Sequence, residues 1–169
     1  MNIEVYTDGS FHIKTGIGGW GTLIRYNYDT DFVTNWYDYG GKIGATSSGE
    51  MEVIGILKAL TDLPNKCNVK IYCDNQYAFK SLVDGGNGEL TMILGRVQYT
   101  GWIRGWIKNG WKTTKGPVKN QNLWIDVMNQ CNRLLKYGSV VNFFWVKGHS
   151  NDEYNDIADD LARKGAELY

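Results

Sequence analysis

The sequence is short of the residues that staple small or secreted proteins together. It has two prolines, two histidines and three cysteines among 169 residues. Cys67, Cys73 and Cys131 are odd in number, fall at unrelated spacings and include no CxxC pair. That pattern speaks against a disulfide framework and against a zinc site built from Cys and His, and it reads as reduced, partly buried thiols in a cytoplasmic protein. No apolar run approaches the roughly 18–20 residues of a membrane span. The opening MNIEVYTDGS lacks a charged region followed by an apolar one, so neither a signal peptide nor a membrane partner is expected. An excess of charge is missing too, since 18 Lys+Arg balance 18 Asp+Glu. A neutral total argues against a protein that coats nucleic acid by bulk charge alone.

What is present suits a folded domain. Apolar residues make up 43% and aromatics 14% of the chain, too much for disorder, and the length fits a single domain over residues 1–169. The first forty residues have β character: Ile3 to Asp8 alternates, Trp20 to Tyr28 and Phe32 to Tyr39 follow, and glycines separate them. The period then changes. Thr46-Ser47-Ser48 offers hydroxyls for a helix start, and Val53, Ile54, Ile56, Leu57, Ala59 and Leu60 recur at helical spacing before Pro64. Beyond it the patterns predict a strand at 69–73, a helix at 75–83, a helix at 123–137, a strand at 140–146 and a last helix at 152–168. Early strands followed by strands alternating with helices imply an α/β mixed sheet with helices packed on it.

Four acids stand out by position. Asp8 ends the first strand, Glu52 lies in the first turn of the first long helix, Asp74 follows a strand, and Asp159 lies in the last helix. Strand ends and helix starts meet at one sheet edge, where clustered carboxylates repel unless a hard, oxygen-seeking cation holds them. Taken singly, each has a plainer reading. Asp8 suits a turn, Glu52 a helix dipole, Asp74 an N-cap, and Asp159 the solvated acidic face from Asp152 to Asp160.

The neutral total conceals an uneven distribution. Residues 96–120 hold Arg96, Arg104, Lys108, Lys112, Lys115 and Lys119 and no acid, a balance of +6, while the rest of the chain carries −6. Trp102, Trp106 and Trp111 interleave with them. Trp102 and Trp106 share a helix face and read as anchors to the core. Trp111, between Gly110 and Lys112, reads as the substrate contact.

The ordered set TDGS at 7–10, EMEVIGILKAL at 50–60, CDNQYA at 73–78, VKGHS at 146–150 and DDLARKGA at 159–166 resembles the type 1 ribonuclease H family. The resemblance covers nearly the whole chain and includes the tract at 102–124. It implies a ribonuclease H-like fold, a five-stranded mixed sheet with three antiparallel strands and then two parallel ones, flanked by helices. It implies an endonuclease that hydrolyses the RNA strand of RNA–DNA hybrids by a two-metal-ion route, leaving 5′-phosphate and 3′-hydroxyl ends. Asp8, Glu52, Asp74 and Asp159 would hold two Mg²⁺ ions, with Mn²⁺ as a substitute, and His149 would assist proton traffic or product departure. Gly9, Ser10, Ser47, Ser48 and Gln76 would face the hybrid beside the metals, and Trp111, Lys112, Lys115 and Lys119 would hold its phosphates from a basic protrusion over about 96–120. The protein is expected to act as a cytoplasmic monomer. The alternatives are a catalytically silent hybrid-binding module and a nuclease of the same fold with another substrate.

The chain departs from the family's pattern in places. Ser47, Ser48 and Gly49 stand where Asn and a basic residue are usual, and Lys14 stands where an Asn is common. Glu50 adds a second acid two residues before Glu52. The two point to different helix faces, so only one can reach the metals, and the register favours Glu52. Residues 83–101 form a longer connection than the resemblance leads one to expect, with an extra helical turn expected around Leu90 to Leu94.

Overall fold

The computed structural model describes residues 1–147 and 152–169. In chain order the strands and helices are β1 (Asn2–His12), β2 (Ile17–Tyr26), β3 (Thr34–Ile43), α1 (Ser48–Asp62), β4 (Asn68–Cys73) and α2 (Gln76–Leu82). There follow β5 (Asn87–Glu89), β6 (Thr91–Ile93), β7 (Arg96–Gln98), α3 (Trp102–Lys108), β8 (Lys112–Thr113) and β9 (Gly116–Pro117). The chain then ends with α4 (Gln121–Lys136), β10 (Val140–Trp145) and α5 (Glu153–Ala166).

Six strands form one sheet in the order β3-β2-β1-β4-β10-β5. The β1–β2 and β2–β3 pairs are antiparallel, and β4 lies parallel to both β1 and β10. This is the mixed sheet of the sequence reading with one strand more: Asn87–Glu89 adds an antiparallel edge to β10.

Alternation along β1 decides the layers. Ile3 and Val5 point into the main core with Val53, Ile56 and Leu60 of α1, Val69 and Ile71 of β4, and Trp124 and Val127 of α4. Tyr6 points to the other face, where Leu23 and Ala158 of α5 meet it. Helix α5 packs across β1, β2 and β3. It approaches so closely that a Cβ on Gly19 would collide with the Ala162 carbonyl, which leaves glycine as the residue that fits.

The 83–101 connection is where the fold differs most from expectation. It contains a 3-10 turn at Asp84–Gly86, strand β5, and an antiparallel β6–β7 hairpin, not a helical turn. Two successive left-handed residues, Leu94 at φ +51° and Gly95 at φ +76°, close the hairpin, which is the turn that matches strand twist. Leu90 is buried in the core, whereas Ile93 and Leu94 are exposed at the tip. The apolar cluster read as a helix face is therefore split between an anchor and a hairpin.

Candidate active site

The site sits where β1, the start of α1 and the end of β4 converge. Glu52 is carried by α1, whose start is fixed by local hydrogen bonding. Ser47 caps the helix, its Oγ accepting from the Glu50 N–H at 3.1 Å. Glu50 turns back, and its Oε1 accepts from the Thr46 N–H at 3.1 Å, one residue before the N-cap, so the helix start is tied from both sides. Its Oε2 accepts from Lys42 Nζ at 3.2 Å. Two residues on, and so on a different side of the helix, Glu52 faces β1.

Carboxylate oxygens of Asp8, Glu52 and Asp74 all lie within 4.8 Å of one another. The Gly9 N–H donates to both Asp8 Oδ1, at 2.9 Å, and Glu52 Oε1, at 3.1 Å. That sharing requires the two backbones to touch, and a Cβ on Gly9 would lie 2.5 Å from the Glu52 nitrogen. Asp8 and Glu52 are each 4% exposed, and Asp74 is half-buried. Asp74 sits directly after β4, and the next residue, Asn75, caps α2 through its side chain. Burial, reinforced by the Asp74 charge, pushes the Asp8 carboxyl up to about 7. Burial and the Asp8 charge raise the Glu52 carboxyl well above the usual range. Glu52 Oε2 is buried without a hydrogen-bond partner.

Three crowded oxygen donors, one of them orphaned, suit a hard divalent cation such as Mg²⁺ or Mn²⁺. Asp159 stands at the margin of this group. It is half-buried, adds to the upward push on the Asp8 carboxyl, and forms an i, i+4 ion pair with Arg163 on α5. His149 lies outside the described residues.

The residues named for the hybrid are placed unevenly. Gly9 and Ser10 are half-buried at the site, but the Gly9 N–H is already taken by the two acids. The Ser47 hydroxyl accepts from its own helix, whereas Ser48 is exposed. Gln76 is exposed and accepts from Lys80 Nζ. Lys112, Lys115 and Lys119 are exposed on and beside the β8–β9 hairpin.

Of the two tryptophans expected to anchor the tract, Trp106 packs on the core and Trp102 does not. Trp111 is half-buried against the main core with its ring 5.9 Å from that of Trp106, which in turn lies 6.2 Å from buried Trp124. Trp102 is 45% exposed and abuts Tyr77 of α2. A left-handed Trp111, at φ +62°, turns its ring inward and ties the hairpin down through its own N–H to the Trp106 carbonyl.

Sequence reasoning missed Lys42, which pairs with Glu50, and Trp145, whose indole N–H donates to the Asp74 carbonyl at 3.1 Å. The Ser47-x-x-Glu50 spacing signalled a helix-start role for Glu50 but not its pairing with Lys42. Nothing local could have shown the second, since its partner lies 71 residues away.

The sequence profile of the RNase H family matches residues 1–93 and 95–167. Ribonuclease H of Chromobacterium violaceum is 37% identical over 166 residues, covering 98% of this chain and 95% of its own. Ribonuclease HI of Brucella melitensis is 36% identical over 168 residues, covering 99% and 91%. Among solved structures, LC9-RNase H1, a type 1 RNase H with the type 2 active-site motif, superposes with a TM-score of 0.74 at 22% identity, over 98% of this chain and 72% of that one. The foamy viral protease–reverse transcriptase in complex with dsDNA superposes at 0.70 and 19% identity, over 99% and 95%. These two structural likenesses bear on the fold, and the sequence matches carry the rest: the chain belongs to the RNase H family of hydrolases.

Proposed function

We propose that the protein is an endonuclease that cuts the RNA strand of RNA–DNA hybrids with two divalent cations, Mg²⁺ or Mn²⁺. The observation that carries this reading is the convergence of Asp8, Glu52 and Asp74, with the Glu52 Oε2 buried and unpaired. Asp159, at the margin, completes the ligand set. Cations bound there would lower the pKa of a water and offset charge on the leaving oxygen.

The chain's own residues do the rest. The Gly9 N–H holds the two buried carboxylates at a fixed interval, so their oxygens are aligned before substrate arrives. Ser48, exposed at the α1 start, offers a donor and an acceptor to a 2′-hydroxyl, the group that separates RNA from DNA. Lys112, Lys115 and Lys119 neutralise phosphates of the opposite strand. His149 serves proton traffic or product release. Water adds across the P–O3′ bond: its oxygen joins phosphorus, and O3′ departs with a proton, leaving 5′-phosphate and 3′-hydroxyl ends. The protein acts as a monomer in the cytoplasm, and no helix among the described residues is long and apolar enough to cross a membrane.

End-labelled RNA–DNA hybrid, duplex RNA and duplex DNA are incubated with the protein, with and without Mg²⁺. Cutting confined to the RNA of the hybrid, and only with the metal, is expected. Retention of hybrid without cutting would identify a silent binding module, and cutting of duplex DNA a nuclease of another substrate.

A further inference from the structure

The three clustered acids are not held alike. Asp8 and Glu52 each accept a hydrogen bond from the Gly9 N–H. Among the described residues no donor reaches the Asp74 carboxylate, so its place depends on where the main chain puts it. That main chain is pinned from β10. The Val146 N–H donates to the Cys73 carbonyl at 2.8 Å, and the Trp145 indole N–H donates to the Asp74 carbonyl at 3.1 Å. Trp145 is itself fixed from the long connection: its backbone N–H donates to Asn87 Oδ1 at 3.0 Å, in strand β5, where Asn87 stands opposite Phe144.

We propose that Trp145 is a positioning residue for Asp74 and that Asn87 acts through it, so that the extra edge strand braces the cation site. The inference rests on the reading of Asp8, Glu52 and Asp74 as that site. A carboxylate with no hydrogen bond of its own keeps rotational freedom at the side chain. The peptide unit behind it then sets how often its oxygens meet those of Asp8 and Glu52. Tryptophan suits the task because its indole carries one donor and no acceptor, so this bond is made in one sense only. The backbone contact to Asn87 keeps the end of β10 from fraying, since antiparallel pairing with β5 stops at Asn87. The connection at 83–101 thereby acquires a task at the catalytic edge although its hairpin tip points elsewhere.

The test is calorimetric titration of the full chain with Mn²⁺ for the wild type, Trp145→Phe, Asn87→Ala, the double variant and Asp74→Asn, with hybrid affinity measured in parallel in EDTA. Removing a hydrogen-bond partner of a metal ligand costs about 10–100-fold in metal affinity. Trp145→Phe, which keeps an aromatic ring of smaller size and deletes the donor, is expected at the low end, about tenfold. Asn87→Ala is expected to cost about threefold, because the Trp145 bond survives it weakened. The double variant is expected to be no weaker than Trp145→Phe alone, since residues acting through one another are non-additive. Hybrid affinity without metal stays unchanged in Trp145→Phe, Asn87→Ala and the double variant. Wild-type Mn²⁺ affinity in Trp145→Phe, or losses that multiply in the double variant, overturns the brace. Asn87 is exposed, so its variant keeps the test decisive if Trp145→Phe melts early. Unaltered Mn²⁺ affinity in Asp74→Asn overturns the cation site itself, and the brace with it, whereas loss there alone sinks only the brace.

Discussion

The acidic cluster and the basic tract carry charge of opposite sign, and they are built in opposite ways. The acids are few, two of the three buried, with oxygens within 4.8 Å of each other, and they stand on or directly after strands and on a helix that share the main core. The lysines of the tract are exposed and stand on two-residue strands and a turn, tied to the body by Trp106 and Trp111. Crowding like charges out of water is costly, so the first arrangement needs a rigid frame and stores an attraction for cations. Spreading charge in water costs little, so the second can be modest in structure and still collect phosphates, at the mercy of salt. Position to a fraction of an ångström matters in the first region, and sign and number matter in the second.

The sharpest break in this contrast is Asp8→Asn. Cleavage is expected to fall at least about a thousandfold, as when a metal-holding or charge-stabilising group is lost. Metal-free stability moves the other way. The Asp8 carboxyl titrates near 7 in the fold against 3.8 as the ordinary value. The folded state therefore holds the proton more tightly, and stability is full below about 4 and declines as pH rises towards 7. Above that window the wild type, stripped of metal, should unfold more easily than Asp8→Asn by roughly 1–3 kcal/mol. Below pH 4 the two should converge. Parallel thermal melts in EDTA across pH 3.5–8, with a Mn²⁺ series at pH 8 that restores the wild type alone, are the measurement. A wild type that stays flat across the window while the variant falls would sink the account of the crowded acids.

A smaller effect is expected in the tract. Changing Lys112, Lys115 and Lys119 together to Ala should weaken hybrid binding about tenfold or more at low salt and flatten the slope of log affinity against log salt by about 2–3. The rate at saturating substrate should hold within about twofold. Fluorescence anisotropy at several salt concentrations reads the slope, and an unchanged slope would show that the phosphates lie elsewhere.

The smallest effect concerns an acid that belongs to neither region. Glu50→Gln keeps the side chain that reaches the Thr46 N–H and removes the charge facing Lys42. Stability should change by about 0.5–1 kcal/mol and cleavage by less than threefold, whereas Glu52→Gln should be as severe as Asp8→Asn. Comparable losses in Glu50→Gln and Glu52→Gln would erase the distinction between a capping acid and a metal-facing one.

What could be read without the structure followed the same division. The rigid region announced itself, because alternation in β1 and helical spacing in α1 are periodic signals, and they put Asp8 on the first strand and Glu52 on the inner helix face; Gly9-Ser10 read as the end of that strand, but pairing with β2 carries β1 on to His12, so Asp8 lies within it. The sheet's parallel strands were equally plain in 69–73 and 140–146. The connection at 83–101 was not. A three-residue strand such as Asn87–Glu89 has too few positions to show a period, and its partner β10 lies more than fifty residues on. Leu90, Met92, Ile93 and Leu94 look like a helix face as letters, but the paired positive φ angles at Leu94 and Gly95 turn the chain back instead. Neither the exposure of Trp102 nor the core packing of Trp111 was legible, for a related reason. Exposure depends on which way a residue at φ +62° aims its ring, and neighbouring lysines carry no information about that.

Gly9 has a consequence beyond the bond it donates. With no room for a side chain between β1 and α1, the interval separating the two buried acids is set by contact of one main chain against another. Nearby side chains can therefore drift in sequence and retune the protons on Asp8 and Glu52 while leaving the spacing untouched. The strand and helix act as a gauge block. A site calibrated in this way could shift its working pH while presenting the same spacing of oxygens to whatever cation it holds.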